Sequence, residues 1–473
     1  MIVLWLVVAI LALAVAAWRP DLFVYAGLLL ASSNRFLTLQ VHHGFTLKPG
    51  HMAFSLALGG AVIRHVRHRT MPRLPDVPRS FLVFAGALLA LYLVAAAAGA
   101  HTIEEGRELL VIGVGAIVPA LAIVLCLDSR ERLARGLACF VLAQLLVALY
   151  ALYQFAAGYL HLPVPVAEKS VVGSVHRVSA FSYEPAYYGA YVITALPLLL
   201  CDVVRGRRRL GRRVPPIAVA TVVALAGALT ISRAAYLAVP FVVAGAWYLL
   251  RTQPAERKVR VAHALVPFAV VVVVVGAIGA ATGFDVARFA QDRIRSFTET
   301  DRPSSNGLRL GLYRAVDGVI ADHLVLGVGP GNLGNVLPRY GGRVPQHKKY
   351  VATANDIWLQ GAVDAGVLSI PLIAGLLWGT AAAVRRRSPL SARALALGAL
   401  VFLVVNGAFV SFLWDMKFWT VMGLAFAIHR GSSPGAADGS EAGARQAGDR
   451  ALQLSGVGGT AATDPEDPTP LPG

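Results

Sequence analysis

This sequence has little charge. Asp, Glu, Lys and Arg make up 15% of the chain and hydrophobic residues 56%, a balance that excludes an ordinary soluble globule, of which about a quarter is charged. Acidic residues are scarcer still, 26 against 43 basic ones. The resulting excess of positive charge could point to nucleic acid. The basic residues, however, fall in short clusters between apolar runs, as expected of topology anchors in a polytopic membrane protein, and no nucleic-acid partner is expected. The three cysteines, Cys126, Cys139 and Cys201, lie in or beside apolar runs without metal-ligand spacing, which excludes a disulfide framework. No internal repeat is evident, which counts against a repeat-built transporter. His42-His43 lacks partners at metal spacing and no Ser-His-Asp set can be assembled, so neither metal nor cofactor is expected.

What the sequence does have is a succession of apolar runs, at about 1–17, 20–33, 50–65, 80–100, 107–127, 134–160, 184–203, 214–231, 234–250, 262–283, 356–384, 391–413 and 416–428. Measured against ~20 residues per crossing, they predict an all-α polytopic membrane helix bundle of about twelve or thirteen spans. The first run resembles a signal-peptide core but has no basic flank and leads at once into another apolar run, so it reads as a retained span. Arginine clusters at 64–73, 130–135, 205–213, 251–260 and 385–387 mark every second connection and are expected on the cytoplasmic side. The other connections, including 161–183, 231–233 and 284–355, then face outward. The expected organisation is a membrane domain over 1–430, one large external loop over 284–355 within it, and a tail over 431–473 that is rich in Gly, Ala, Ser, Asp and Pro and is expected to be disordered and cytoplasmic. Within the loop, apolar residues from Leu310 to Leu324 recur at helical spacing and predict an amphipathic helix over 308–325, with Arg309 in its first turn.

The outward connections carry ionisable groups where the topology bias disfavours them. Arg177 and Glu184 precede one span, Arg233 stands in a connection of almost no length, and Arg309 lies in the long loop. Ionisable groups at the edge of a span are costly unless used. An arginine fork suits a diphosphate, since it donates paired hydrogen bonds and stays charged at any relevant pH. A carboxylate or histidine nearby could take a proton from an attacking hydroxyl. Simpler explanations exist for parts of this pattern: Arg233 could snorkel to headgroups, and Glu184-Pro185 is also an ordinary helix start. Gly329-Pro-Gly331-Asn-Leu-Gly334 matches a dinucleotide fingerprint as a string, but no strand precedes it, and it reads as a structural turn.

Taken in order, Arg177-x-x-x-Phe-x-x-Glu184-Pro185, Leu229-Thr-x-Ser-Arg233, the Arg309 helix leading into Leu326-Gly-Val-Gly-Pro-Gly-Asn332, and Asn355-x-x-x-Leu359-Gln360 followed by Asp364-x-Gly366 resemble the O-antigen ligase and polymerase superfamily. The resemblance covers most of 160–380. It implies a metal-independent, inverting glycosyltransferase of a bacterial inner membrane that takes a glycan from undecaprenyl diphosphate at the periplasmic face. The acceptor would be a saccharide or lipid-linked sugar, and membrane lipids would surround the protein. By motif position it assigns the diphosphate to Arg177, Arg233 and Arg309, with Tyr183 and Asn355 beside the substrate and Arg233 also contributing to catalysis. The chain departs from the pattern at Ala354, where a histidine commonly precedes the asparagine, so the general base is open between Glu184, His347 and none, the reaction then relying on leaving-group stabilisation with the acceptor positioned. The Phe-Ser-Tyr-Glu-Pro form is closer to exopolysaccharide or O-antigen polymerases than to ligases that load lipid A core. A transporter or flippase of lipid-linked sugars is the alternative of another class, disfavoured because the spans are nearly uncharged and the polar groups cluster at one face.

Overall fold

The computed structural model describes residues 11–32, 39–41, 45–69, 77–99, 101–164, 171–172, 175–182, 184–251, 258–282, 288, 291, 305–342, 353–385, 388–408 and 413–430. The elements are α1 (Leu11–Trp18), α2 (Pro20–Leu30), α3 (Pro49–Arg67), α4 (Arg79–Ala98), α5 (Ile103–Leu110), α6 (Val118–Cys126), α7 (Arg130–Leu160), α8 (Pro185–Arg205), α9 (Pro216–Ala228), α10 (Arg233–Leu250), α11 (Lys258–Thr282), α12 (Ser305–Asp322), α13 (Leu333–Val336), α14 (Ile357–Ala365), α15 (Ser369–Arg385), α16 (Leu390–Val401) and α17 (Met416–Arg430). A π-turn over Val111–Ile117 joins α5 to α6, and another over Phe402–Asn406 continues α16. Two short antiparallel ladders, Leu39–Val41 with Phe45–Leu47 and Val171–Val172 with Val175–His176, are the strands among the described residues.

The architecture is an all-α polytopic bundle. Among the described residues five helices are long and apolar enough to cross a membrane: α4, the joined Ile103–Cys126, α7, α8 and α10. The α1–α2 pair makes a sixth if its 107° bend is counted within one span, and four shorter apolar helices lie at Pro216–Ala228, Leu265–Ala277, Ser369–Arg385 and Leu390–Val405. Prolines in the first turn of α2, α3, α8 and α9 start those helices where an N–H would lack a partner anyway. Thr102 and Glu105 form a capping box at α5.

Helix α8 is the centre of the bundle. Of its most apolar stretch, 94% is buried, and it packs against α9, α10 and α16, as a helix hydrophobic all round must. Small residues let its neighbours approach, as where Gly189 faces Ala235 and Gly227 faces Val192.

Two apolar runs behave differently from expectation. The run 356–384 is broken at Gly366, whose φ is 84°. A side chain there would strike the Val325 carbonyl, and the Val367 N–H donates to the Leu324 carbonyl at 2.8 Å. Docking of the 324–325 backbone therefore ends α14 after nine residues, too short to cross. At the start of the chain, the described part of run 1–17 is a short helix turning sharply at Arg19-Pro20, where proline cannot continue the preceding helix.

Helix α7 separates the two ends of the bundle. Arg130 opens it, and Gln154 lies 24 residues further along, about 36 Å at the helical rise. Around Arg130 the expected cytoplasmic clusters converge: Arg64 and Arg132 both bind Asp128, at 3.1 and 2.6 Å, and Arg207 and Arg209 reach Ser391 at 3.4 and 3.1 Å. Around Gln154 the segments before α8 and α10, expected to face outward, meet.

Candidate active site

Gln154 builds the site from below. Its side-chain carbonyl accepts from the N–H groups of Ser179 at 3.0 Å and Ala180 at 2.9 Å. Ala180 has a φ of 47°, a left-handed conformation that a non-glycine residue holds only under constraint. Phe181 stacks on Tyr150 with centroids 4.2 Å apart, pinning the same loop to α7. The segment so held brings Arg177 against the turn before α10: the Arg177 Nε donates to the Thr230 carbonyl at 3.0 Å, and the Val178 N–H donates to the Leu229 carbonyl at 3.2 Å.

Arg177 therefore lies three residues in sequence from Arg233 across a direct contact, although 56 positions separate them in the chain. Arg233 is the first residue of α10, half-buried, and the turn before it places Ile231 at a φ of 50°. Glu184 is exposed at the N-cap of α8, with Pro185 following. The helix-start reading of Glu184-Pro185 thus holds, and it sets the carboxylate at the end of α8 that carries Gly189, which is packed on Ala235, Thr230 and Ser232. Arg177, Glu184 and Arg233 share one corner of the bundle.

Asn355 is half-buried with a φ of 57°, next to Asp356, whose carboxylate caps α14 by accepting from Trp358 and Leu359. Ile357 ties this start to the π-turn that packs on α10, its N–H donating to the Gly407 carbonyl at 2.8 Å. Ala354 is completely buried in a second apolar core with Val316, Val319, Leu333, Leu337 and Val363. No histidine fits that position without overpacking.

The same core seats α12, so the amphipathic helix expected in the long loop packs on protein through Val316 and Val319. It begins at Ser305, which puts Arg309 in its second turn rather than its first. A cation there meets little of the helix dipole, since the effect fades beyond the first turn. The Arg309 side chain, Tyr183, His347 and the tail 431–473 lie outside the described residues.

Two groups of residues make contacts that sequence reasoning did not anticipate. The Gly327–Asn332 turn docks on the start of α5: Thr102 donates to the Asn332 side-chain carbonyl at 2.6 Å, and the Asn332 amide donates to Glu105 at 2.7 Å. Gly329, at a φ of 87°, has no room for a Cβ against that glutamate, so the string is the structural turn its glycines suggested. Asp364 closes the arrangement from α14, accepting from Gln360 at 2.9 Å and from the Gly331 N–H at 3.4 Å, while Gln360 in turn accepts from Ala354 at 2.8 Å. Burial, with the nearby Glu108 charge adding to it, pushes the Asp364 carboxyl well above its ordinary range.

The second group is cationic. Lys417, with 3% of its side chain exposed, reaches the Tyr187 carbonyl in the first turn of α8 at 3.4 Å and lies 3.8 Å from Asp415. Lys48, before α3, is electrostatically coupled to both, and burial brings its ammonium down to about 8. A lysine on the face that topology depletes of cations was the available signal, the same one that marked Arg233. Among the described residues no group of three His, Cys, Asp or Glu side chains is placed to hold a metal ion.

Residues 218–370 match the family model described as O-antigen ligase. The match supports membership of the O-antigen ligase and polymerase superfamily over that region. The matched region runs from α9 to the start of α15 and contains Arg233, Arg309, His347 and Asn355, whereas Arg177 and Glu184 precede it. No curated protein matches the chain. The family supports membrane glycan processing of the ligase or polymerase type, by a glycosyl-transferring enzyme that meets a lipid-linked donor and an acceptor.

Proposed function

We propose that this protein polymerises a glycan at the periplasmic face of a bacterial inner membrane, passing it from undecaprenyl diphosphate to a sugar acceptor with inversion and without a metal. The observation that carries this reading is the contact of Arg177 with the Thr230 carbonyl at 3.0 Å, which sets two outward arginines, distant in sequence, at one corner. Arg177 and Arg233, joined by Arg309 from α12, would hold the diphosphate, with Tyr183 and Asn355 beside the sugar. Lys48 and Lys417 would add positive potential at the start of α8.

In the step itself the acceptor hydroxyl oxygen attacks the anomeric carbon, and the bond to the diphosphate oxygen breaks with its electron pair. The acceptor proton passes to Glu184 or His347. Charge grows on the departing diphosphate, so donors already aimed at it stabilise the transition state more than the bound donor. The external loop 284–355 would cover this face, and the tail 431–473 would lie in the cytoplasm.

A second reading, ligation of the glycan to a lipid A core acceptor, is favoured by the description of the matching family. The two are separated by supplying purified protein with a lipid-linked repeat unit, alone or with core oligosaccharide lipid. Ladder formation from the repeat unit alone supports polymerisation, and product only with the core acceptor supports ligation. Either activity should persist in excess EDTA; loss with rescue by magnesium or manganese would overturn the metal-free mechanism.

A further inference from the structure

At the opposite end of the bundle, where the basic clusters gather, the structure contains a cavity of about 540 Å³, within the range of small-molecule sites. Its rim carries Arg130, Arg207 and Arg208. Arg209 also faces it, but is engaged by the buried Asp202 at 2.5 and 2.9 Å. No carboxylate is among the lining residues. The first turns of α7 and α16 both open onto it, through Arg130 and Ser391, adding the partial positive charge of two helix N-termini. Below the rim the wall turns apolar: Leu133, Ala134 and Leu137 descend along α7, with Ile428 of α17 opposite. From Arg130 to Leu137 the descent is about 10 Å.

A site for a free anion would need the rim alone. Cations above a hydrocarbon wall match an amphiphile whose phosphate stays at the interface while its chain enters the bilayer. Topology anchoring accounts for the presence of the arginines, but not for a cavity built beneath them. We propose that this cavity binds an anionic glycerophospholipid, its phosphodiester held by Arg130, Arg207 and Arg208 and an acyl chain lying along Leu133, Ala134 and Leu137. Basic pockets between membrane helices are suited to such headgroups. The inference stands apart from the proposed catalytic reading, since none of these residues belongs to that corner.

The test uses the full chain in detergent, titrated with phosphatidylglycerol, phosphatidylcholine or inorganic phosphate while bound lipid is counted by native mass spectrometry. Phosphatidylglycerol should bind selectively. Replacing Arg130→Gln together with Arg208→Gln should weaken it about ten- to thirtyfold, the size expected of two arginines at a membrane surface. The corresponding double lysine variant should bind nearly as the parent. Because removal of arginines could also disturb insertion, Ala134→Trp provides an independent arm: it fills the apolar wall at an exposed position without altering charge, and should weaken binding to a similar degree. Equal binding of phosphatidylcholine, or unchanged affinity in the tryptophan variant, would overturn the proposal. Displacement of the lipid by millimolar inorganic phosphate would also overturn it, in favour of a plain anion site.

Discussion

The two ends of the bundle use arginine in different ways. At the basic end four arginines are held by carboxylates: Asp128 takes Arg64 and Arg132, Glu131 takes Arg135, and Asp202 takes Arg209. At the other end Arg177 is oriented by a backbone carbonyl, the loop carrying it is held by an amide, Gln154, and Lys417 reaches a second backbone carbonyl as well as the Asp415 carboxylate. A carbonyl fixes the direction of a cation without cancelling its charge. The comparison teaches that the charge count of a connection is a poor guide to its role. At the arginine-rich end Arg64, Arg132, Arg135 and Arg209 are neutralised locally while Arg130, Arg207 and Arg208 line a cavity without carboxylates, whereas at the other end backbone carbonyls and a buried amide aim the few cations.

The largest effect that would sharpen this contrast is expected at Arg233. Arg233→Lys keeps the charge and loses the fork, so turnover of a lipid-linked donor should fall by roughly 10- to 1000-fold, as for loss of one preorganised donor. Arg233→Ala should be worse, with thermal melting little changed in both. A fully active lysine variant would reduce Arg233 to a headgroup anchor.

Next in size is Gln154→Leu. It leaves the buried N–H groups of Ser179 and Ala180 without their acceptor, at about 1–3 kcal/mol each, and releases the strained φ of Ala180. Melting temperature and turnover should both drop, the latter because Arg177 loses its setting. Unchanged turnover alongside a lowered melting point would show that the loop matters only for stability.

These two residues also show how legible the molecule was. The helices could be read because apolar runs announce them, and the basic end because its arginines cluster in sequence. Arg177 and Arg233 were legible as departures from that bias. Gln154 was not, since one glutamine in a long apolar run gives no hint of which backbone it serves 25 positions later. The docking of Asn332 on Thr102, 230 positions apart, and the approach of Lys417 to Tyr187, equally distant, are products of tertiary packing with no local signature. The break at Gly366 was hidden because hydropathy runs through it without interruption. Its cause is the backbone of Leu324 and Val325 docked against it.

A smaller effect is expected from pH. With its ammonium brought down to about 8 by burial, Lys48 loses its charge as pH rises through that value. Between there and its ordinary 10.5 the folded protein holds fewer protons than the unfolded chain, so this residue makes stability rise with pH across that window. Donor affinity should move the other way, weakening a few-fold from pH 7 to 9, as for about 1 kcal/mol from one partly screened charge. Lys48→Met should flatten both trends when melting and donor binding are followed side by side. An unaltered affinity profile in that variant would remove Lys48 from the site while leaving Lys417 to be tested by itself.

The smallest effect is expected at Arg135, and its smallness is what tests the comparison. Arg135 pairs with Glu131 at 2.5 Å, one turn away on α7, but both side chains are largely exposed, at 56% and 75%. Such a pair gains little in water and spends side-chain entropy to form. Arg130 and Arg132 remain to anchor the same connection. Arg135→Ala should therefore shift stability by no more than about 0.5 kcal/mol, with orientation and turnover unchanged. Orientation can be read from a cysteine at Gly206, which should stay shielded from an impermeant thiol reagent applied outside the inner membrane, while one at Ser304 should react. If Arg135→Ala instead cut turnover as deeply as Arg233→Lys, the two ends would not be divided into anchoring and chemistry, and the assignment of the site to the Gln154 end would fail with that division.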